Sequence, residues 1–91
     1  MNPNILLVDD EEDIRSVLSV ALEDMGYTVQ TAENGKEGLR LFLESRPPIV
    51  ITDIKMPDID GVDLLKRIKE EDPDTEVVMI TGHGDMDVAI Q

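Results

Sequence analysis

The chain has 91 residues, room for one domain with a modest core and no separate substrate domain. Its formal net charge of −13, from 21 acidic and 8 basic side chains, argues against direct binding to nucleic acid or an anionic membrane, because both select basic surfaces. There is no cysteine for a disulfide or thiolate site, and Tyr27 and Phe42 are the only aromatic residues, so the core must be aliphatic.

Asn4-Ile5-Leu6-Leu7-Val8 is a short continuous apolar run, as expected of a strand covered on both faces. It stops at five consecutive acids, Asp9 to Asp13. Ile14, Val17, Leu18, Ala21, Leu22 and Met25 then recur at steps of three and four, one face of an amphipathic helix, with Gly26 at its C-cap. Tyr27 to Ala32 reads as a second strand, and Glu33-Asn34-Gly35 as a turn. Leu39, Phe42 and Leu43 form a helical face closed by Arg46-Pro47-Pro48. Ile49 to Thr52 is a third strand, ending at Asp53. A loop with Pro57 and Gly61 leads to a third helix through Val62, Leu64, Leu65 and Ile68, closed by Asp72-Pro73-Asp74. Val77 to Ile80 is a fourth strand, ending at Thr81-Gly82-His83-Gly84, and Asp85 to Gln91 read as the first turns of a fourth helix. No apolar run reaches membrane-spanning length, and the first residues lack a signal pattern, so a cytoplasmic setting is expected.

Strands alternating with helices imply a parallel sheet with right-handed crossovers. In such sheets ligands bind beyond the carboxyl ends of the strands. The first strand ends at Asp9-Asp10, the third at Asp53 and the fourth at Thr81. If the first and third strands are neighbours, three carboxylates converge, and like charges so close call for a proton or a cation. Mg²⁺ suits the pattern: it takes one or two carboxylates, keeps waters and shares phosphate oxygens. Acids at a helix start also satisfy free N–H groups and complement the dipole, which suffices for Glu11, Glu12 and Asp13. Asp58, Asp60 and Gly61 read as a turn and helix start. They are not an EF-hand, because Met56 and Arg67 would occupy its first and twelfth positions. His83 reads as a loop residue near the site, Met56 as packing, and Lys66, Arg67 and Lys69 as a solvated helix face.

In Ile5-Leu6-Leu7-Val8-Asp9-Asp10, Ile51-Thr52-Asp53-Ile54-Lys55-Met56-Pro57 with Asp60-Gly61, and Ile80-Thr81-Gly82, the chain resembles the receiver domain of a two-component response regulator. The resemblance implies a flavodoxin-like α/β fold with strand order 2-1-3-4. It implies Asp53 as phosphoacceptor, Asp10 as a direct Mg²⁺ ligand with Asp53, Asp9 acting through water, and the Lys55 backbone carbonyl as a third protein ligand. Thr81 would be the switch hydroxyl, and Gly82 the small residue that leaves the site accessible. The implied partners are a sensor histidine kinase or phosphotransfer protein, and an output domain or effector outside this chain. Such a domain takes part in its own phosphorylation without being a metabolic enzyme.

Family members continue with a fifth strand bearing a Lys and an aromatic switch residue, then a last helix. The expectation is therefore a single receiver domain over 1–91, C-terminally truncated, with the fifth strand absent and strand four as an edge. Apolar residues near Ile14, Val17 and Leu18 would then be partly exposed, and homodimers or segment swapping become an expectation. Two other readings compete: a non-phosphorylated interaction module with a structural metal site, and a small Mg²⁺-dependent phosphatase. No general acid stands clearly placed for the latter.

Overall fold

The short apolar runs are strands because residues covered on both faces need no alternation, only branched side chains and backbone partners. The computed structural model describes residues 3–80 and 88–90. In chain order the elements are β1 (Ile5–Val8), α1 (Glu12–Asp24), β2 (Val29–Ala32), α2 (Gly35–Ser45), β3 (Ile49–Asp53), α3 (Gly61–Glu71), β4 (Glu76–Ile80) and β5 (Val88–Ile90). The strands form one sheet in the order β2-β1-β3-β4-β5. The first four are parallel in the expected 2-1-3-4 arrangement, with Val8 opposite Ala32 on one side and Thr52 on the other.

The segment read as the start of a fourth helix differs. Its described part is β5, antiparallel to β4 with Ile80 opposite Val88 and Val78 opposite Ile90. Only the seven residues 81–87 separate the two strands, fewer than the dozen or so a parallel crossover requires. The outer edge of β4 offers unpaired N–H and C=O groups, and Val88–Ile90 takes them up. β4 is therefore not the edge expected of it. Three residues, Val-Ala-Ile, carry no periodicity that separates helix from strand.

The chain runs from β1 outward to β2, then back past β1 to β3 and β4. With right-handed crossovers, this reversal places α1 on one face and α2 and α3 on the other. The second face holds the core: Leu6, Val8, Val50 and Val77 from the strands meet Leu41, Phe42, Leu64 and Ile68 from the helices. Phe42, the largest fully buried side chain, anchors it. Gly38 on α2 lets that helix approach β1, since a Cβ there would lie 2.8 Å from a Val8 methyl. On the α1 face the burial is thinner. No α1 residue is fully buried, Ile14 and Leu18 are half-buried, and Val17 is 66% exposed, in line with expectation.

Helix ends follow local chemistry. Gly26 adopts φ +99°, and the Gly26→Glu23 and Tyr27→Leu22 backbone bonds close α1 in a Schellman motif. Asn34 caps α2 by accepting from Glu37 N–H (2.8 Å), and Asp60 caps α3 by accepting from Asp63 N–H (2.9 Å). Lys66 and Arg67 are exposed as expected. Lys69 is not part of a solvated face: its ammonium donates to the Thr75 and Pro73 carbonyls and closes the turn into β4.

Candidate functional site

The reversal of strand order falls between β1 and β3, the switch point at which open α/β sheets leave a crevice beyond the strand ends. Val8 and Thr52 are opposite one another, so Asp9, just past β1, and Asp53, the last residue of β3, stand side by side at the end of the sheet. Asp10 comes next on the β1 side. The three expected carboxylates are brought together: one oxygen from each of Asp9, Asp10 and Asp53 lies within 4.8 Å of the others.

Their environments differ. Asp9 and Asp53 are each 1% exposed, whereas Asp10 faces solvent. Asp9 Oδ1 accepts the Glu11 N–H at 2.9 Å, turning the chain into α1. Burial pushes the Asp9 carboxyl above its ordinary range. The Glu11 amide pulls the other way, while the charges of Asp53, Asp10 and Glu11 add to the rise. Asp53 Oδ1 accepts the Lys55 N–H at 3.3 Å, but the buried Asp53 Oδ2 has no hydrogen-bond partner among the described residues. A carboxylate oxygen desolvated and left alone is costly, and it marks where a ligand belongs. Hard oxygen donors, mixed burial and one open side suit a small divalent cation.

Thr81, like Gly82, His83, Gly84 and Asp85, lies outside the described residues. β4 ends at Ile80, in register with Asp53, and the Ile80 carbonyl accepts the Ile54 N–H at 3.1 Å. Glu12 and Asp13 fall in the first turn of α1 and Glu11 at its N-cap position, as read from the sequence, although the Glu11 side chain makes no cap hydrogen bond; Met56 packs against the core as expected.

Two residues of the site carried no motif. Arg15 Nη1 donates to the Asp9 backbone carbonyl at 2.7 Å, bringing a cation to the base of the cluster. Its signal in the sequence is a basic residue in the opening turns of a helix, where the dipole disfavours it. In the sequence Asp58 reads as a turn residue of its own loop. Its carboxylate instead accepts the Gly35 N–H (3.0 Å) and Lys36 N–H (2.8 Å) at the start of α2. Burial pushes that carboxyl up, but the backbone N–H groups of Lys36, Ile59, Gly35 and Asp58 itself outweigh it and hold it below its ordinary range. No local sequence pattern reports a contact across 23 positions.

Fold and site together define a flavodoxin-like α/β domain with an aspartate cluster at its switch point. The response regulator receiver domain family matches residues 5–91, and the chain belongs to that family. It is 38% identical over 88 residues to sporulation initiation phosphotransferase F of Bacillus subtilis, covering 97% of this chain and 71% of that protein. It is 42% identical over 86 residues to the DNA-binding transcriptional regulator NtrC of Escherichia coli, covering 94% of this chain and 18% of that one. The chain thus spans about a fifth of the length of such transcriptional regulators. Among solved structures, the response regulator TrrA of Thermotoga maritima, in complex with Mg²⁺-BeF, superposes with a TM-score of 0.83 and 39% identity, covering 88% of this chain and 70% of that one. Among the described residues, no helix is long and apolar enough to cross a membrane.

Proposed function

We propose that this chain is a phospho-accepting switch in which Asp53 takes a phosphoryl group from a phosphohistidine on a sensor kinase or phosphotransfer protein. The observation that carries the reading is the cluster of Asp9, Asp10 and Asp53 at the switch point, with the buried Asp53 Oδ2 unpartnered among the described residues. The Mg²⁺-BeF complex of the Thermotoga maritima relative supports it. Asp10, Asp53 and the Lys55 backbone carbonyl would hold Mg²⁺, with Asp9 acting through water. The ion supplies charge neutralisation for the phosphoryl oxygens.

The chain's own residues supply position. β1 and β3 are rigid neighbours, so the acceptor and the acids that compensate its charge keep their spacing without a loop having to order. An Asp53 carboxylate oxygen forms the new O–P bond as the P–N bond to the donor imidazole breaks. The electron pair stays on the imidazole nitrogen. The product is an acyl phosphate, which adds roughly one to two negative charges. Thr81, next in sequence after β4, is the hydroxyl that answers the new oxyanion and shifts a pre-existing two-state equilibrium. The domain acts in the cytoplasm, and its output is delivered by an effector outside these residues. Its chemistry is phosphoryl transfer to itself, with hydrolysis of its own acyl phosphate as the one further step.

Acetyl phosphate with MgCl₂, followed by intact-mass spectrometry, tests this. One added phosphoryl group is expected on the wild type, with none in EDTA or in Asp53→Asn. An unlabelled wild type, under conditions that label the Bacillus subtilis relative, would refute the reading and leave a non-phosphorylated module.

A further inference from the structure

The loop between β3 and α3, residues 54–60, carries Lys55 and so, on the reading above, a backbone ligand of the metal. A backbone ligand is only as well placed as its loop. This one is pinned at both ends. At its far end Gly61 N–H donates to the Ile54 carbonyl at 2.7 Å, and the loop closes so tightly that a Cβ on Gly61 would overlap the Asp53 carbonyl oxygen. Its middle is tied to a different helix. Asp58 takes the first two N–H groups of α2, and the Ile59 carbonyl sits 2.6 Å from where a Cβ on Gly35 would be. Asn34 takes the third N–H, and Gly38 N–H bonds the Asn34 carbonyl. The free N–H groups at the start of α2 are therefore shared between its own cap and a residue of the metal loop.

We propose that Asp58 is a positioning residue for the metal site. It clamps the loop that bears Lys55 onto the N-terminus of α2, and it couples occupancy of the site to the opening turn of that helix. The proposal rests on the phosphoacceptor reading, in particular on Lys55 as a ligand. Its charge is well matched to the task, because the positive end of a helix favours a carboxylate over a neutral acceptor. Arrangements one step behind a metal ligand commonly change affinity tenfold or more when removed. The clamp also works in reverse. If cation binding favours the pinned loop, it must tighten the bonds from Gly35 and Lys36 by the same linkage.

The test is a MgCl₂ titration of the ¹⁵N-labelled chain followed by amide shifts, on the wild type, Asp58→Ala, Asp58→Asn and Asn34→Ala. Asp58→Ala should weaken Mg²⁺ about tenfold. Asp58→Asn, which keeps its shape and one acceptor oxygen, should fall between it and the wild type. Asn34→Ala removes a cap from the same helix without touching the loop. It should lower the melting temperature and weaken Mg²⁺ by less than Asp58→Ala does, because it frays the turn without releasing the loop. In the wild type, Mg²⁺ should slow hydrogen exchange at Gly35 and Lys36. Equal losses in Asp58→Ala and Asp58→Asn would reduce the effect to a lost charge and overturn the clamp. So would wild-type affinity in Asp58→Ala. A wild type whose shifts ignore Mg²⁺ sinks the metal-site reading itself, a failure separable from the other two.

Discussion

Replacing Asp53 with Asn should make the metal-free protein more stable while abolishing its chemistry. One oxygen from each of the three carboxylates lies within 4.8 Å of the others, and a pair at that separation repels by about 3 kcal/mol at an effective dielectric constant near 20. Asp10 is exposed, so solvent screens most of its share, and the buried pair Asp9–Asp53 dominates. Asn keeps an oxygen for the Lys55 N–H, and its amide N–H₂ can donate to a neighbouring carboxylate where Asp53 Oδ2 has no partner among the described residues. A gain of about 2 kcal/mol is expected, worth about 10 °C in melting temperature for a domain of this size. Thermal unfolding followed by circular dichroism in EDTA at neutral pH reads it directly. Saturating MgCl₂ should then narrow the gap, because a ligand at ten times its Kd stabilises the wild type by about 1.4 kcal/mol and the variant has lost a ligand. A variant no more stable than the wild type in EDTA would show that the three carboxylates do not strain the fold, and the case for a cation would lose its energetic basis.

The raised Asp9 carboxyl has a pH signature of its own. The native state holds that proton more tightly than the unfolded chain, so the contribution is fully present below 3.8 and is lost as pH rises through the higher native value. In EDTA, urea midpoints of the wild type relative to Asp9→Asn should fall as pH climbs through that window and then level. Parallel curves would remove the shift. Gly61→Ala should cost about 1–3 kcal/mol, because its methyl meets the Asp53 carbonyl oxygen and the Ile54 Cα, both backbone atoms unable to retreat. A urea midpoint unchanged from the wild type would show that the loop can open there. Phe42→Ala, in the centre of the α2–α3 face, should cost about 3–5 kcal/mol with its denaturant slope unaltered. A loss under 1 kcal/mol would mean the core collapses around the gap.

The linear order of residues already determined a good deal. The four parallel strands and three helices announce themselves, because continuous apolar runs, a three-four periodicity and Gly26, Arg46-Pro47 and Asp60-Gly61 at the boundaries are local signals that act locally. The acids at strand ends were legible for the same reason, and the site they form follows once β1 and β3 are neighbours. What the tertiary structure decided is which groups meet beyond those local repeats. Among the described residues it left one Asp53 oxygen without a partner, put Arg15 under Asp9, gave Lys69 to the turn before β4 and sent Asp58 to the start of α2. It also turned Val88–Ile90 into a strand, because a free sheet edge and a short connection outweigh the weak preference of three apolar residues. Composition and periodicity constrain each residue's own neighbourhood. Hydrogen bonds across twenty or more positions form only after the sheet has brought their partners together.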